Sequence, residues 1–236
     1  MITDFHSHIL PGIDDGSSSV EESLRMLREE WKQGITHVIA TPHFYARYDS
    51  PEEFLERRSR AEQQLRQAMA EEANLPKVTV GAEVYYFRGI SESHALPCLT
   101  IEGKRCILIE APGAPWPEEF YREMEALWVR RKILPIIAHV DRYIGPFRTH
   151  GIPERLAQLP VMVQANGSFF LNRATAGMAM RMLKRDQIHL LGSDCHDVHR
   201  RPPNLRTAAE KIRQKLGPEA LERIREYEIE TLGDGP

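Results

Sequence analysis

Two histidines one residue apart, His6 and His8, open the chain in the stretch DFHSHILPGIDDG, and two adjacent acids, Asp14 and Asp15, follow a Pro-Gly turn. The same donor types recur downstream: His43 in IATPH, Glu83 in VGAEV, Glu110 in ILIEA, His139 in PIIAH, and Asp194 with His196 in LLGSDCH. Imidazole nitrogens and carboxylate oxygens together are the donor set of divalent metal sites. A glutamate that closes an apolar run is costly to bury unless it is paired or metal-bound. His6/His8 and Asp194/His196 are i, i+2 pairs, which on a strand face the same side and can reach one point. Of this donor pair at the turn, Asp14 is the expected ligand and Asp15 the residue expected to fix the turn. The chemistry that such a set supports is metal-assisted attack of water on an ester.

Each of these donors ends, or closely follows, a short apolar run. Runs at 1–5, 36–40, 77–84, 105–111, 133–139, 160–166 and 188–194 have strand length and are bounded by Gly, Pro or polar residues. Helical patterns fill 19–34, 50–76, 117–132, 151–160, 173–186, 204–217 and 218–232. Ser19 and Ser50 are expected N-caps, with acids in the turns that follow. Seven strand–helix units in line predict a parallel sheet buried by helices, closed as a distorted barrel or left open and doubly wound. No Gly-rich phosphate loop is present, which argues against a nucleotide-binding version of the open sheet. In either architecture the C-terminal strand ends share one face, and sites are built there. His37 and His189 start strands, and His94, His150 and His199 fall in loops; His37, His189, His94 and His150 are expected to lie outside the site, while His199 and Arg200 fall near it.

The 236 residues suffice for one sizeable domain, 1–236. Hydrophobic residues are 42%, charged residues 28%, and the net charge of −3 argues against a nucleic-acid or membrane surface. Cys98, Cys106 and Cys195 form no C-x-x-C pair, so neither a disulfide framework nor a structural zinc site is expected. No apolar run has membrane-spanning length, and MITDFHSH lacks the pattern of a signal peptide. A soluble cytoplasmic protein is the expectation.

In order along the chain, H-x-H, D-D-G, T-P-H, G-x-E, A-H-x-x-R-Y and S-D-x-H resemble the motifs of the PHP metallohydrolases. The opening DFHSHILPGIDDGSSSVEESLRM and the later RRPPNLRTA are similar to the bacterial manganese-dependent protein-tyrosine phosphatases of capsular and exopolysaccharide biosynthesis. The resemblance spans residue 4 to about 208. It implies a distorted (β/α)7 TIM-like barrel of the PHP fold and three divalent metals: manganese, with iron or zinc compatible with the donors. The first metal would take His6, His8, Glu83 and Asp194. The second would share Glu83 and add Glu110 and His139, and the third would take Asp14, His43 and His196. Arg142 and Arg201 match the phosphate-binding arginines. The implied partner is a tyrosine-phosphorylated protein, a kinase of polysaccharide assembly. Four carboxylates against three divalent ions leave a surplus of two positive charges, suited to hydroxide and a phosphate dianion. Hydroxide would be available because metal binding lowers the pKa of water toward ~7. Two departures from the family pattern are Val140-Asp141, where Pro-Glu is usual before the arginine, and Cys195, where a small residue is more common. Asp141 is the one candidate for a general acid.

Rival readings are specific. Cys195 and Arg201 have the C-x5-R spacing of cysteine-dependent phosphatases, but the intervening HDVHR lacks glycine and Pro202-Pro203 follow. That chemistry needs backbone N–H groups around the phosphate at a helix start. A second rival keeps the metals and acts on a small phosphate ester such as histidinol phosphate. A third is a metal-dependent scaffold without activity.

Overall fold

The computed structural model describes residues 2–233; Met1 and residues 234–236 of the expected domain lie outside the described residues. The strands are β1 (Thr3–Ser7), β2 (His37–Ala40), β3 (His43–Phe44), β4 (Lys77–Val80), β5 (Glu83–Tyr85), β6 (Cys106–Glu110), β7 (Leu134–Ile137), β8 (Met162–Asn166) and β9 (Leu190–Gly192). All pairings between them are parallel. A three-stranded sheet runs β1-β2-β4 and a six-stranded sheet runs β3-β5-β6-β7-β8-β9. β2 and β3 are one run broken at Thr41-Pro42, where proline has no N–H to give the ladder. β4 and β5 are likewise one run, broken at Gly81-Ala82. The two sheets are therefore continuous, and the surface they form is curled. A parallel bridge between Ser7 and Cys195 brings the end of β1 beside the chain that follows β9.

Helices α1 (Val20–Lys32), α2 (Pro51–Met69), α3 (Leu96–Leu99), α4 (Glu118–Arg131), α5 (Ile152–Leu156), α6 (Gly167–Leu171), α7 (Ala176–Lys184), α8 (Leu205–Leu216) and α9 (Glu219–Leu232) cover the sheet. Ser19 caps α1 by accepting the Glu22 N–H, and Ser50 and Glu53 form a reciprocal capping box on α2. The sequence predicts α2 as far as residue 76; it ends at Met69, and Asn74 takes a left-handed turn with φ of 62°. The short α3 and α6 carry too little periodicity to be predicted.

Two apolar layers hold these elements in place. One lies between helices and sheet and includes Met26, Leu27, Phe54, Phe120, Leu127 and Ile212. The other is Phe5, Ile39, Ile101, Cys106, Leu108, Ile136, Ala138, Met162 and Leu190, drawn mostly from successive strands and packed inside the curl. That plug floors the C-terminal face. The β1–β2 register is irregular between Asp4 and Ser7, which lets Phe5 fill the plug while His6 also turns inward. Glu228 on α9 accepts the Thr3 N–H at 2.9 Å and ties the last helix to the first strand.

Candidate metal centre

The donors converge because adjacent strand ends interleave. The Asp194 N–H donates to the His6 carbonyl at 2.8 Å, and the His8 N–H donates to the Cys195 carbonyl at 2.9 Å. Both i, i+2 pairs thus sit side by side. A Cβ on Gly192 would stand 2.6 Å from the His6 Cβ, so only glycine admits this approach. His43 and Glu83 are direct register partners across β3 and β5. Glu110 ends β6, and His139 follows β7. His139 and Asp194 have φ of 30° and 55°, a region that costs non-glycine residues about 1–3 kcal/mol. Surrounding hydrogen bonds offset it: the Gln164 Oε1 accepts the His139 N–H at 2.6 Å.

Glu83 is fully buried and central. Its Oε2 lies 3.1 Å from His6 Nε2, 3.3 Å from His8 Nε2 and 3.0 Å from His43 Nδ1. Its Oε1 lies 2.6 Å from His139 Nε2. Asp194 Oδ1 is 3.7 Å from His6 Nε2 and 3.5 Å from His8 Nε2. Glu110 reaches His139 Nε2 at 3.8 Å and His43 Nδ1 at 4.0 Å. Overlapping groups of His6, His8 and Asp194, of His6, Glu83 and His139, and of His43, Glu83 and Glu110 each present donor atoms within 4.8 Å of one another. A further group, His8, Asp15, His43 and His196, does the same.

At the acid pair this last group contains Asp15, where the sequence reading expects Asp14. Asp15 Oδ1 lies 3.5 Å from His43 Nε2 and 3.4 Å from His196 Nε2. Asp14 turns inward and fixes the turn instead. Its Oδ2 is 2.8 Å from His8 Nδ1 and accepts the His43 N–H at 3.0 Å, while Oδ1 accepts the Gly16 N–H at 2.9 Å. The D-D-G spacing has a steric cause, because a Cβ on Gly16 would stand 2.3 Å from the His8 carbonyl oxygen. Asp14 therefore fixes the orientation of the His8 ring through its Nδ1, leaving Nε2 toward Glu83 and Asp194.

The electrostatics suit cations. Burial alone would raise the Glu83 carboxyl, but the His6 charge, the His139 hydrogen bond and the close His43 imidazole hold it well below the carboxylate range. Burial and the neighbouring Glu83 raise Glu110. Against burial, Asp14 and Glu83 push His8 up to about 10, so protons are drawn into the cluster as positive charge. Buried atoms without a well-aligned hydrogen bond include His43 Nδ1, Glu83 Oε2, Glu110 Oε2 and His196 Nε2. Unpaired buried polar atoms are costly. Here all four face a shared centre of nitrogen and oxygen donors, which fits divalent metal ions.

The predicted arginines stand at the rim, each with 39% of its side chain exposed. Arg142 donates to Asp194 and lies 3.8 Å from Glu110 Oε1. Arg201 Nη2 is 2.6 Å from Asp194 Oδ1, and its carbonyl accepts the His196 N–H at 3.0 Å. Asp141 accepts the Asn166 N–H at 2.9 Å, and burial raises it to about 6. Two buried residues escaped the sequence reading. Gln164 Oε1 lies 3.3 Å from His6 Nδ1, and Gln164 donates to Asn166, which donates to Asp194 Oδ2 at 2.9 Å. Their i, i+2 spacing inside the apolar run PVMVQAN is the signal that could have found them. His37 bonds Thr79, and His189 accepts the Val163 N–H, both at the opposite strand ends.

Cys195 is buried in the wall, with Sγ 3.9 Å from Glu30 Oε1. Burial, then the Glu30 and Asp4 charges, push its thiol well above the usual range. A thiolate nucleophile is thereby disfavoured. Cys195→Ser should keep phosphatase turnover within about threefold, the scale of a near-isosteric buried change of ~0.6 kcal/mol. Loss by orders of magnitude would restore the cysteine mechanism.

The chain matches the family described as capsular polysaccharide synthesis, CpsB/CapC, over residues 2–231. It belongs to that family. Among CpsB/CapC relatives, the tyrosine-protein phosphatase CpsB of Streptococcus pneumoniae is 27% identical over 226 residues, covering 91% of this chain and 90% of the relative. The tyrosine-protein phosphatase YwqE of Bacillus subtilis is 26% identical over 224 residues, covering 92% and 85%. A solved structure from work on YwqE and CpsB, described as metal-dependent tyrosine phosphatases, superposes with a TM-score of 0.84 at 23% identity. The alignment covers 100% of this chain and 96% of that one, so the CpsB/CapC fold is shared throughout.

Proposed function

We propose that the chain is a metal-dependent protein-tyrosine phosphatase. The observation that carries this reading is the pair of rim arginines set against a buried cluster of unpartnered nitrogen and oxygen donors. Its named relatives among tyrosine-protein phosphatases support it. The curled sheet is then a distorted (β/α)7 barrel of the PHP type, supported by the Ser7–Cys195 bridge and by the apolar plug. The whole chain acts as one domain, because α9 is tied to β1. Among the described residues no helix is long and apolar enough to cross a membrane. We place the enzyme in the cytoplasm, acting on a tyrosine-phosphorylated kinase of polysaccharide assembly.

His6, His8, Glu83 and Asp194 would hold one divalent ion, Glu83, Glu110 and His139 a second, and Asp15, His43 and His196 a third. Manganese is the reading, and the donor set also accepts iron or zinc. Bound there, the ions would supply nucleophilic hydroxide and Lewis-acid stabilisation of phosphoryl charge. Arg142 and Arg201 bind the equatorial oxygens, for which the guanidinium fork is suited. Asp14, Gln164 and Asn166 orient His8, His6 and Asp194. A phenolate leaving group has a pKa near ~10, so departure needs little proton donation.

The experiment is hydrolysis of phosphotyrosine peptides, phosphoserine peptides and histidinol phosphate, each with Mn²⁺ and with chelator. Metal-dependent turnover led by phosphotyrosine is expected. Preference for histidinol phosphate would move the enzyme to small esters, and no turnover of any ester would overturn the enzymatic reading. The acid pair has its own test. Asp15→Asn should remove about one equivalent of bound metal, while Asp14→Asn should keep the count and weaken affinity roughly 10–100-fold. The reverse pattern in elemental analysis would restore Asp14 as the ligand.

A further inference from the structure

Tyr45 and Tyr85 each stand two residues beyond a donor, His43 and Glu83, which are register partners across β3 and β5. Tyr85 ends β5 and shares its face with Glu83, while Tyr45 directly follows β3 and opens a turn. Two residues of strand advance roughly 6–7 Å, which sets the Tyr85 ring above the donor layer. Tyr85 is also the register partner of Glu110. The Tyr45 ring stacks on His43, with centroids 5.1 Å apart and planes 29° from parallel. It lies 5.8 Å from the Tyr85 ring and 6.4 Å from Tyr48. Tyr85 is 38% exposed and Tyr48 is 76% exposed, so the aromatic wall is open to solvent at the mouth of the site. The segment carrying Tyr45 and Tyr48 is held as a closed turn, since the Tyr45 carbonyl accepts the N–H groups of Tyr48 at 2.8 Å and Asp49 at 3.0 Å. Among the described residues none of the three phenol hydroxyls has a hydrogen-bond partner, so it is the ring faces that the fold presents.

We infer that Tyr45 and Tyr85 form an aryl-binding wall that selects phosphate esters of a phenol over those of an alkyl alcohol. This deepens the phosphatase reading and rests on it. A phosphoryl group seated between the donors and the rim arginines places the substrate's next atoms, beyond the bridging oxygen, at the height of these rings. The flank on the β3–β5 side offers π-faces there, while the rim arginines Arg142 and Arg201 follow β7 and β9. A phenyl ring gains an aromatic contact at that level. An alkyl chain gains little.

The test separates ring recognition from leaving-group chemistry by using non-hydrolysed probes. Inhibition constants of phenylphosphonate and methylphosphonate are measured against hydrolysis of a phosphotyrosine peptide by the Mn²⁺-loaded enzyme. The unmodified protein should bind the phenyl compound more tightly. Tyr45→Ala and Tyr85→Ala should each remove about 3–10-fold of that preference, the scale of one aromatic pair, with little change for methylphosphonate. Tyr45→Phe and Tyr85→Phe should retain it. An unaltered phenyl-to-methyl ratio in the exposed-site Tyr85→Ala and in Tyr45→Ala, in protein that still turns over phosphotyrosine, overturns the wall and leaves the phosphatase reading intact. Absence of phosphotyrosine turnover in the unmodified protein overturns both.

Discussion

Glu83→Gln should reduce phosphotyrosine hydrolysis by about a thousandfold or more, exceeding the 10²–10³ typical of losing one transition-state donor. The amide keeps the size of the side chain and one acceptor oxygen. It loses the charge that draws four imidazoles, His6, His8, His43 and His139, to within 2.6–3.3 Å of one carboxylate. In the proposed site Glu83 would belong to the donor sets of two ions, so one substitution would injure both. Elemental analysis should show fewer metals per chain, and kcat should fall with them. Thermal unfolding recorded beside the assay separates lost chemistry from lost fold. Activity within tenfold of the parent, with metal content unchanged, would remove Glu83 from the centre.

Arg142→Ala and Arg201→Ala should each lower kcat/KM by about 10²–10³ while leaving the metal content unchanged. Both side chains reach Asp194 and extend into solvent, and neither offers an atom that ligates a cation. Lysine should restore little at either position, because a point charge does not reproduce a planar fork that binds two oxygens. Since the two share Asp194 as a partner, the double variant should fall short of the product of the singles. Full additivity would mean that the arginines act independently. A drop in bound metal would assign them a structural role.

The strand ends were legible because each strand–helix unit carries two periods at once, apolar alternation in the strand and capped amphipathic helices beside it. Once those units are placed, His6, His43, Glu83, Glu110, His139 and Asp194 fall on one face by topology alone. What was illegible depends on turns. Asp14 and Asp15 are chemically identical neighbours, and which one faces His43 is decided by a tight loop. Gly12, with φ of 64°, and the close contact at Gly16 set its path. No periodicity survives across such a loop. Gln164 and Asn166 were missed because their side chains bond to ligands and not to metals, so their residue types announce nothing. The over-long α2 has a local cause as well: Glu71, Glu72 and Ala73 are good helix formers, and only the turn through Asn74 shows that the chain has already left the helix.

The bridge between Ser7 and Cys195 also dictates an order of events in the ribosome exit path. His6 and His8 emerge well before Asp194, His196 and Arg201. The loop that must close between them spans β2 to β8 and the helices that separate them. Its entropy cost grows only logarithmically with length, but such distant contacts slow folding. A nascent chain still lacking β9 carries His6 and His8 without Asp194 opposite them, and β1 with an unpaired edge. Phosphatase competence should therefore arrive late and abruptly in synthesis, when the last strand docks on the first.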